Sequence, residues 1–274
     1  MLSATSARCA VLGHPIAHSL SPAMHRAAYR ILQLDWTYDA VDLDAAELPG
    51  FVATLDDSWR GLSLTMPLKR AVLPLLDEVT PLASQVGAAN TVVLDRGRLL
   101  GDNTDVGGVV DALAGVGCTQ VADAVLVGAG ATAESTLVAL QQLGLRSLRV
   151  LARSAERALP LVRRAESAGI AATLGTLDEP APQHADLLVC TLPGGTGVTL
   201  PKQLVAASAV VFDVAYDPWP SPLLARAGEL GATTVDGIAL LAAQAALQVE
   251  AMTGSRVPVE DLRAAALAAI GSRG

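Results

Sequence analysis

AVLVGAGATAESTLVALQQLGLRSLRVLAR, residues 124–153, is the stretch that decides the fold. Its apolar start, residues 125–127, contains β-branched side chains and is typical of a buried parallel strand. A helical segment follows over 134–143, Gly144 is placed to end it, and residues 148–151 form a second apolar run. The stretch therefore predicts a strand–turn–helix–strand unit with its glycines in the first turn.

The glycines of that turn follow a G-x-G-x-x-A pattern. Gly128 permits a tight turn, Gly130 lets a pyrophosphate approach the backbone, and the small Ala133 lets the helix pack on the strand. The helix N-terminus also offers unpaired N–H groups to phosphates. An ordinary tight turn can show the same pattern, but the flanking strands and helix favour dinucleotide binding. We expect cofactor contacts along the whole loop: Gly128, Ala129, Gly130, Ala131, Thr132 and Ala133.

The end of the second strand indicates which dinucleotide is bound. An NAD site usually places Asp or Glu there, about 20 residues after the glycines, to hold the ribose 2′-hydroxyl. This strand instead ends at Ala152, Arg153 and Ser154, with Arg157 shortly after. A guanidinium and a hydroxyl suit a 2′-phosphate, so the sequence predicts NADP. The alternative is that Arg153 is a solvated arginine at a helix start.

The composition excludes several classes of protein. Hydrophobic residues make up 51% of the 274 residues and charged residues 17%, so a sizeable core can form and disorder is not expected. The net charge of −8 argues against a nucleic-acid-binding surface. The three cysteines are far apart and lack metal or redox spacing, so we expect no metal site. We find no signal peptide and no run near the ~18 apolar residues of a membrane helix, and expect a cytoplasmic protein that does not bind membranes.

Strand–helix alternation divides the chain. The first ~100 residues alternate on their own, and the dinucleotide unit begins near residue 120. We predict an α/β protein with a substrate-binding and catalytic domain over 1–105 and a doubly wound Rossmann domain over 106–237. Helices over 238–274 return to complete the first domain, and a cleft separates the two. Strands are predicted over 9–12, 36–41, 60–65, 91–94, 98–100, 125–127, 148–151, 186–190, 209–214 and 233–235. Helices are predicted over 22–32, 47–55, 106–113, 134–143, 238–252 and 259–270. Two more helices are predicted with one bound each: one begins at residue 67, and another, after Arg153, ends at residue 168.

Polar residues cluster at strand ends and loops, where binding residues often lie. Ser19 and Ser21 stand one residue apart at a helix start and could bind a carboxylate, although Ser21 could instead be only an N-cap. Lys69 lies one turn into a predicted helix, near the positive end of the helix dipole, where a lysine can have a lowered pKa. It could instead be an ordinary surface lysine. Asn90 opens a strand in an apolar stretch. Asp105 is either the N-cap of the next helix or a carboxylate that pairs with a lysine.

Taken together, the clusters closely resemble the shikimate dehydrogenase family, in order, from residue 11 to residue 254. One such motif would only be suggestive, but seven in register are highly specific. The motifs are GHPIAHSLSPAMH (13–25), LTMPLK (64–69), GAANTV (87–92), GDNTDVGG (101–108), VLVGAGATA (125–133), DVAYDPWPSPLL (213–224) and DGIALLAAQAALQVEAMTG (236–254).

The resemblance implies reversible reduction of 3-dehydroshikimate to shikimate with NADPH, on the pathway to chorismate and the aromatic amino acids. It implies that Lys69 is the catalytic lysine and Asp105 its partner, and that Ser19 and Ser21 bind the substrate carboxylate. Thr65, Asn90, Tyr216 and Gln244 then contact the rest of the substrate, and Thr191 and Gly237 join the cofactor residues. We expect a monomer or homodimer.

This chain departs from the usual family pattern mainly on the cofactor side. Ser63 replaces the usual Asn, and Leu240 stands at the position of a common Met. Ala131 and Ala133 replace the usual Gly and Ser, and Cys190 replaces the usual Asn. Two alternatives therefore remain: a quinate/shikimate dehydrogenase that prefers NAD, and a non-catalytic NADP-binding protein.

The strand-tip pattern predicts cofactor preference. We expect kcat/KM with NADP⁺ to exceed that with NAD⁺ by at least about tenfold, which needs only ~1.4 kcal/mol of differential binding. Arg153→Ala should raise KM for NADP⁺ and leave the poorer NAD⁺ reaction nearly unchanged, since a charge-assisted contact to the 2′-phosphate is lost. Steady-state kinetics with shikimate, followed at 340 nm, measure this. Equal losses with both cofactors would mean that Arg153 only stacks on adenine, and a wild-type preference for NAD⁺ would contradict the strand-tip argument.

Overall fold

The structure, a computed structural model, describes residues 6–272. They divide into two compact units. The first holds the described residues up to Gly108 together with those from Leu241 onward, and the second is Val109–Leu240. We expected breaks after 105 and 237, and each lies three residues later, inside a helix. What each unit binds is taken up as a proposal below.

Strands and helices alternate through most of residues 6–272, and no helix in this part of the chain is long and apolar enough to span a membrane. The strands are β1 (Ala7–Gly13), β2 (Trp36–Asp42), β3 (Trp59–Leu64), β4 (Glu78–Val79), β5 (Thr91–Asp95), β6 (Arg98–Asp102), β7 (Asp123–Val127), β8 (Ser147–Leu151), β9 (Ala171–Gly175), β10 (Ala185–Cys190), β11 (Ser208–Asp213) and β12 (Thr233–Asp236). The α-helices are α1 (Ser21–Ile31), α2 (Leu48–Val52), α3 (Leu68–Ala71), α4 (Pro81–Val86), α5 (Thr104–Ala114), α6 (Ala131–Gln142), α7 (Ala155–Ser167), α8 (Lys202–Ala206), α9 (Pro222–Glu229), α10 (Gly237–Thr253) and α11 (Val259–Gly271).

The first unit contains a mixed six-stranded sheet in the order β2-β1-β3-β5-β6-β4. The pairs β1–β2, β1–β3 and β4–β6 are parallel, whereas β5 runs antiparallel to β3 and β6. The strands predicted over 91–94 and 98–100 form the antiparallel β5–β6 hairpin. Arg96 and Gly97, between them, both have positive φ, as a tight hairpin turn requires.

The second unit contains a six-stranded, fully parallel sheet in the order β12-β11-β10-β7-β8-β9. The strands that follow β7 in the chain extend first to one side of it and then, from β10, to the other. This is the doubly wound Rossmann order, and it confirms the predicted α/β fold class. The switch point lies between β7 and β10, where the chain reverses its direction of winding.

The apolar run 125–127 is buried because β7 is flanked by β8 and β10. Val125, Leu126 and Val127 are all at most 3% exposed. Val125 and Val127 belong to a core cluster with residues from β10, α8 and α9. A central strand of a parallel sheet therefore reads as a continuous apolar run rather than as an alternating one.

Two strands were missed by the sequence analysis. β9 is an edge strand that pairs only with β8, and its small residues are alternately exposed and half-buried. β4 has only two residues, at the edge of the first sheet. Short edge strands gain little from burial, so their sequences carry a weak hydrophobic pattern.

The core position of β7 predicts a large effect on stability. Leu126→Ala should lower the free energy of unfolding by about 2–5 kcal/mol, because a fully buried leucine leaves a cavity. Leu159→Ala is the matched control, since this leucine is 40% exposed in α7. Urea unfolding followed by circular dichroism measures the difference. Equal stability losses in the two variants would contradict the assigned burial.

Candidate functional site

Four chain segments meet at one edge of the first sheet. The parallel strands β1 and β3 both end there, with Leu12 beside Leu64. Because β5 runs antiparallel to β3, it begins at that edge, and Thr91 pairs with Ser63. β6 then returns to the same edge, where Asp102 pairs with Thr91. The loops that carry the candidate substrate residues of the first unit therefore converge.

Lys69 and Asp105 form an ion pair at this edge. The Lys69 Nζ lies 2.6 Å from Asp105 Oδ2, and the two side chains are 14% and 7% exposed. They are separated by 36 residues and meet because α3 follows β3 whereas α5 follows β6. A charge-assisted hydrogen bond this short and this well shielded fixes both end groups.

Asn90 completes the coordination of the Asp105 carboxylate. Its Nδ2 donates to Asp105 Oδ1 at 2.8 Å, so each carboxylate oxygen accepts a different donor. Asn90 is 1% exposed and also donates to Thr104 Oγ1 at 3.0 Å and, weakly, to Gln244 Oε1 at 3.4 Å. The structure thus brings Lys69, Asp105, Asn90 and Gln244 into one cluster.

Two local interpretations of this cluster were wrong. Asp105 is not an N-cap, because α5 begins one residue earlier at Thr104 and the Val106 N–H donates to Asn103 Oδ1. The dipole argument for Lys69 also fails, since α3 has only four residues and Lys69 lies in its last turn. Contact with Asp105, rather than a helix terminus, defines the surroundings of the lysine.

The two serines lie where β1 passes into α1. Ser21 was expected as an N-cap, but it is the first residue of the helix and its own N–H donates to Ser19 Oγ at 3.3 Å. Ser21 is 7% exposed. Ser19 is half-buried.

An ion pair restrains the start of the loop that carries Ser19. His14 Nδ1 lies 2.6 Å from Asp42 Oδ1, and the Ile16 N–H donates to the other carboxylate oxygen at 3.3 Å. The hydrogen bond to Asp42 raises the pKa of His14, and the same bond lowers the pKa of Asp42. Both shifts widen the pH range over which the two groups are charged together, which favours this loop conformation.

The remaining candidate substrate residues fall in different places. Thr65 directly follows β3 and is half-buried, with its N–H bonded to the carbonyl of Leu12. Gln244 is 5% exposed in α10 and donates to the carbonyl of Leu241. Tyr216 is half-buried after β11 and belongs to the second unit.

All candidate cofactor residues lie at the carboxyl edge of the parallel sheet. That edge is where ligands bind in open α/β sheets, at the switch point between β7 and β10. The residues follow β7 (Gly128, Ala129, Gly130, Ala131, Thr132 and Ala133), β8 (Ala152, Arg153, Ser154 and Arg157), β10 (Thr191) and β12 (Gly237).

The two loop glycines have different surroundings. Gly128 has φ +109°, and a Cβ there would collide with the Thr191 hydroxyl, which itself donates to the carbonyl of Val127 at 2.9 Å. Gly130 is the N-cap of α6, and a Cβ there would meet no atom within 4 Å. Open space above Gly130, together with the unpaired N–H groups of a helix start, fits a pyrophosphate.

The tip of β8 presents the groups predicted for a 2′-phosphate. Arg153 and Arg157 are exposed. Ser154 is the N-cap of α7 and accepts the Arg157 N–H at 3.4 Å, which leaves its hydroxyl hydrogen available to another acceptor. Two cations and a hydroxyl donor at this tip fit a phosphate ester rather than a bare ribose hydroxyl.

Gly237 is required for close backbone packing. A Cβ there would collide with the carbonyl of Val214, within the second unit.

Cys190, at the end of β10, is buried, and burial raises the pKa of its thiol to about 12. Within residues 6–272, no group of three or more His, Cys, Asp and Glu side chains is arranged to hold a metal ion.

Sequence reasoning did not single out Gln248. It lies one helical turn after Gln244 on α10, is 1% exposed, and bonds to the backbone of Asn90 and the hydroxyl of Thr91. An amide side chain in an otherwise apolar helical segment was the available signal, because a buried polar group needs partners.

The comparisons with known proteins agree with this geometry. A family model described as the shikimate dehydrogenase substrate binding domain matches residues 11–92. The chain is 38% identical over 268 residues to the shikimate dehydrogenase (NADP(+)) of one strain of Thermus thermophilus, covering 96% of this chain and 99% of the relative.

Solved structures share the fold. Shikimate 5-dehydrogenase from another strain of Thermus thermophilus, in complex with NADP(H) and shikimate, superposes with a TM-score of 0.86 at 36% identity, covering 96% of this chain and 99% of that one. A ligand-free 5-ketofructose reductase of a Gluconobacter species gives 0.87 at 26% identity, covering 97% and 99%. Because the full-length relative is well above 30% identical, the chain belongs to the shikimate dehydrogenase family.

Proposed function

We propose that this protein catalyses the reversible NADPH-dependent reduction of 3-dehydroshikimate to shikimate, on the route to chorismate and the aromatic amino acids. The observation that carries the proposal is the Lys69–Asp105 ion pair, with Asn90 on the second carboxylate oxygen. This arrangement fixes the position of the Lys69 ammonium group at a sheet edge where four loops converge.

Lys69 acts as the general acid of the reduction. Its ammonium donates a proton to the C3 oxygen of the substrate and stabilises the negative charge that develops there. Asp105 holds Lys69 at 2.6 Å and contacts a substrate hydroxyl. In shikimate oxidation the same lysine takes the proton back.

The other residues of the first unit bind and orient the substrate. Ser19 and Ser21 donate to the carboxylate, and the short spacing of the two hydroxyls at the start of α1 supports this role. The substrate hydroxyls contact Thr65, Asn90 and Gln244, and Tyr216 lies beside the substrate. A polyol acid has several polar groups, and several fixed partners give it one orientation.

The second unit binds NADP, and the loop residues 128–133 hold its pyrophosphate. Arg153, Ser154 and Arg157 hold the 2′-phosphate, while Thr191 and Gly237 line the remainder of the site. When bound, NADPH supplies the hydride for the reduction. We assign substrate binding and catalysis to residues 1–105 with 238–274, and cofactor binding to residues 106–237.

We further propose that the enzyme works in the cytoplasm as a monomer or homodimer. Cys9, Cys118 and Cys190 are free thiols, which suits a reducing compartment. Its substrates are small molecules.

Removing the proton donor tests the catalytic assignment. Lys69→Ala should lower kcat by roughly 10²–10⁴-fold, the usual contribution of general acid catalysis, with a much smaller change in KM for shikimate. Arg70→Ala is the matched control, because it removes a cation from the neighbouring position of α3. Steady-state assays at 340 nm measure both. A kcat of Lys69→Ala within a few-fold of wild type would remove Lys69 from the catalytic role.

Removing either serine hydroxyl tests the carboxylate site. Ser19→Ala and Ser21→Ala should each weaken shikimate binding by about 1.5–3 kcal/mol, because each loses a hydrogen bond to a charged group, and NADP⁺ binding should be unchanged. Ser58→Ala is the control, since this serine precedes β3 at the opposite edge of the same sheet. Isothermal titration calorimetry measures the affinities. Unchanged shikimate affinity in both variants would reject the site and would favour a substrate without a carboxylate.

A further inference from the structure

A continuous row of buried polar side chains crosses the first unit behind the candidate site. Its members are contributed by β2, β3, β5 with the residue before it, and α10, and each is at most 4% exposed. They are Tyr38, Ser63, Gln248, Asn90 and Thr91. Buried polar groups are costly unless they are paired, so a row this long is held by its internal hydrogen bonds.

The Gln248 amide lies at the middle of the row. Its Nε2 donates to the Asn90 carbonyl at 3.1 Å and to Thr91 Oγ1 at 3.0 Å. Its Oε1 accepts from Ser63 Oγ at 2.8 Å. The amide therefore has partners on both sides, and its orientation is set by them.

His25 fixes the acceptor end of the same amide. Its Nε2 lies 3.2 Å from Gln248 Oε1, and its ring stacks on Tyr38 with centroids 4.0 Å apart. Burial lowers the pKa of His25 to about 3, so the ring is neutral and donates from Nε2. Two donors on Oε1 leave the amide one favourable orientation.

The hydrogen bonds run in one direction along the row. Tyr38 donates to Ser63 at 2.6 Å, and Ser63 donates to Gln248. Beyond Gln248, Thr91 donates to Asn90 Oδ1 at 2.8 Å, and Asn90 donates to Asp105. The row thus connects Tyr38 with the carboxylate that holds Lys69.

We propose that Gln248 is a positioning residue for catalysis, which orients Asn90 and, through it, Asp105 and Lys69. Gln248 itself contacts none of the reacting groups. The inference rests on the proposed function, and it adds that one buried amide sets the geometry of the acid. Misplacement of a catalytic group by about 1 Å can cost about a hundredfold in rate, so such a support affects turnover.

Substitution of the amide tests the catalytic side of the row. Gln248→Met keeps the length of the side chain and removes its donors and acceptor. We expect kcat to fall by about ten- to a hundredfold, while KM for shikimate changes by less than about threefold and NADP⁺ affinity is unchanged. Thr253→Val is the matched control, because Thr253 is also buried on α10 but bonds to the Val249 carbonyl and to the backbone of Ser255, away from the row.

Substitution of the tyrosine is a second control within the row. Tyr38→Phe removes the hydroxyl that donates to Ser63, and it leaves the hydrogen bond from Ser63 to Gln248 in place. We expect kcat to stay within about twofold of wild type, because the amide keeps all of its own partners. A fall in kcat as large as that of Gln248→Met would show that general destabilisation of the buried row, and not the amide, lowers turnover.

The outcomes separate the inference from the proposed function. Wild-type turnover of shikimate tests the function, and the variants are compared with it only after thermal unfolding shows that they are folded. Equal kcat in Gln248→Met and Thr253→Val would overturn the positioning role, as would a loss confined to thermal stability. If Gln248→Met does not fold, Ser63→Ala, which removes one donor to the amide, should lower kcat several-fold, and an unchanged kcat in that variant would equally overturn the inference.

Discussion

Two charges that are almost excluded from water hold the first unit's site together. Lys69 and Asp105 are each less than 15% exposed, and an unpaired charge in such a place would be strongly unfavourable. The pair is stable because each Asp105 oxygen accepts a separate donor, one from Lys69 and one from Asn90. Asn90 in turn is held by Thr91 and Thr104 and lies beside Gln248. The charged pair thus depends on a neutral, fully buried scaffold.

Strand direction explains why the candidate functional residues of each unit lie at one edge of its sheet. In the second unit every strand is parallel, so the loops after β7, β8, β10 and β12 open at one edge. In the first unit the antiparallel hairpin β5–β6 starts and ends at the edge where β1 and β3 finish. Different topologies therefore give the same result, namely polar loops gathered at one end of an apolar sheet.

Close packing, rather than flexibility, explains the need for glycine at two cofactor positions. Gly128 and Gly237 each lie against another part of the backbone or a hydroxyl, so a side chain would force the strand ends apart. Gly130 differs, because the space above it is empty of protein atoms. The same residue type thus permits close packing at two positions and leaves open space at the third.

The sequence by itself determined the Rossmann unit, since a continuous apolar strand, a glycine turn and a helix are local patterns with a fixed spacing. The sequence also identified the candidate residues, because their motifs are short and contiguous. Only the tertiary structure decided which of them meet. Lys69 reaches Asp105 across 36 residues, and Ser21 proved to be the first residue of α1 rather than its cap. The two-residue strand β4 and the edge strand β9 left no readable pattern. Gln248 became visible only when α10 packed against β3 and β5, because long-range hydrogen bonds are set by packing and not by the periodicity of neighbouring residues.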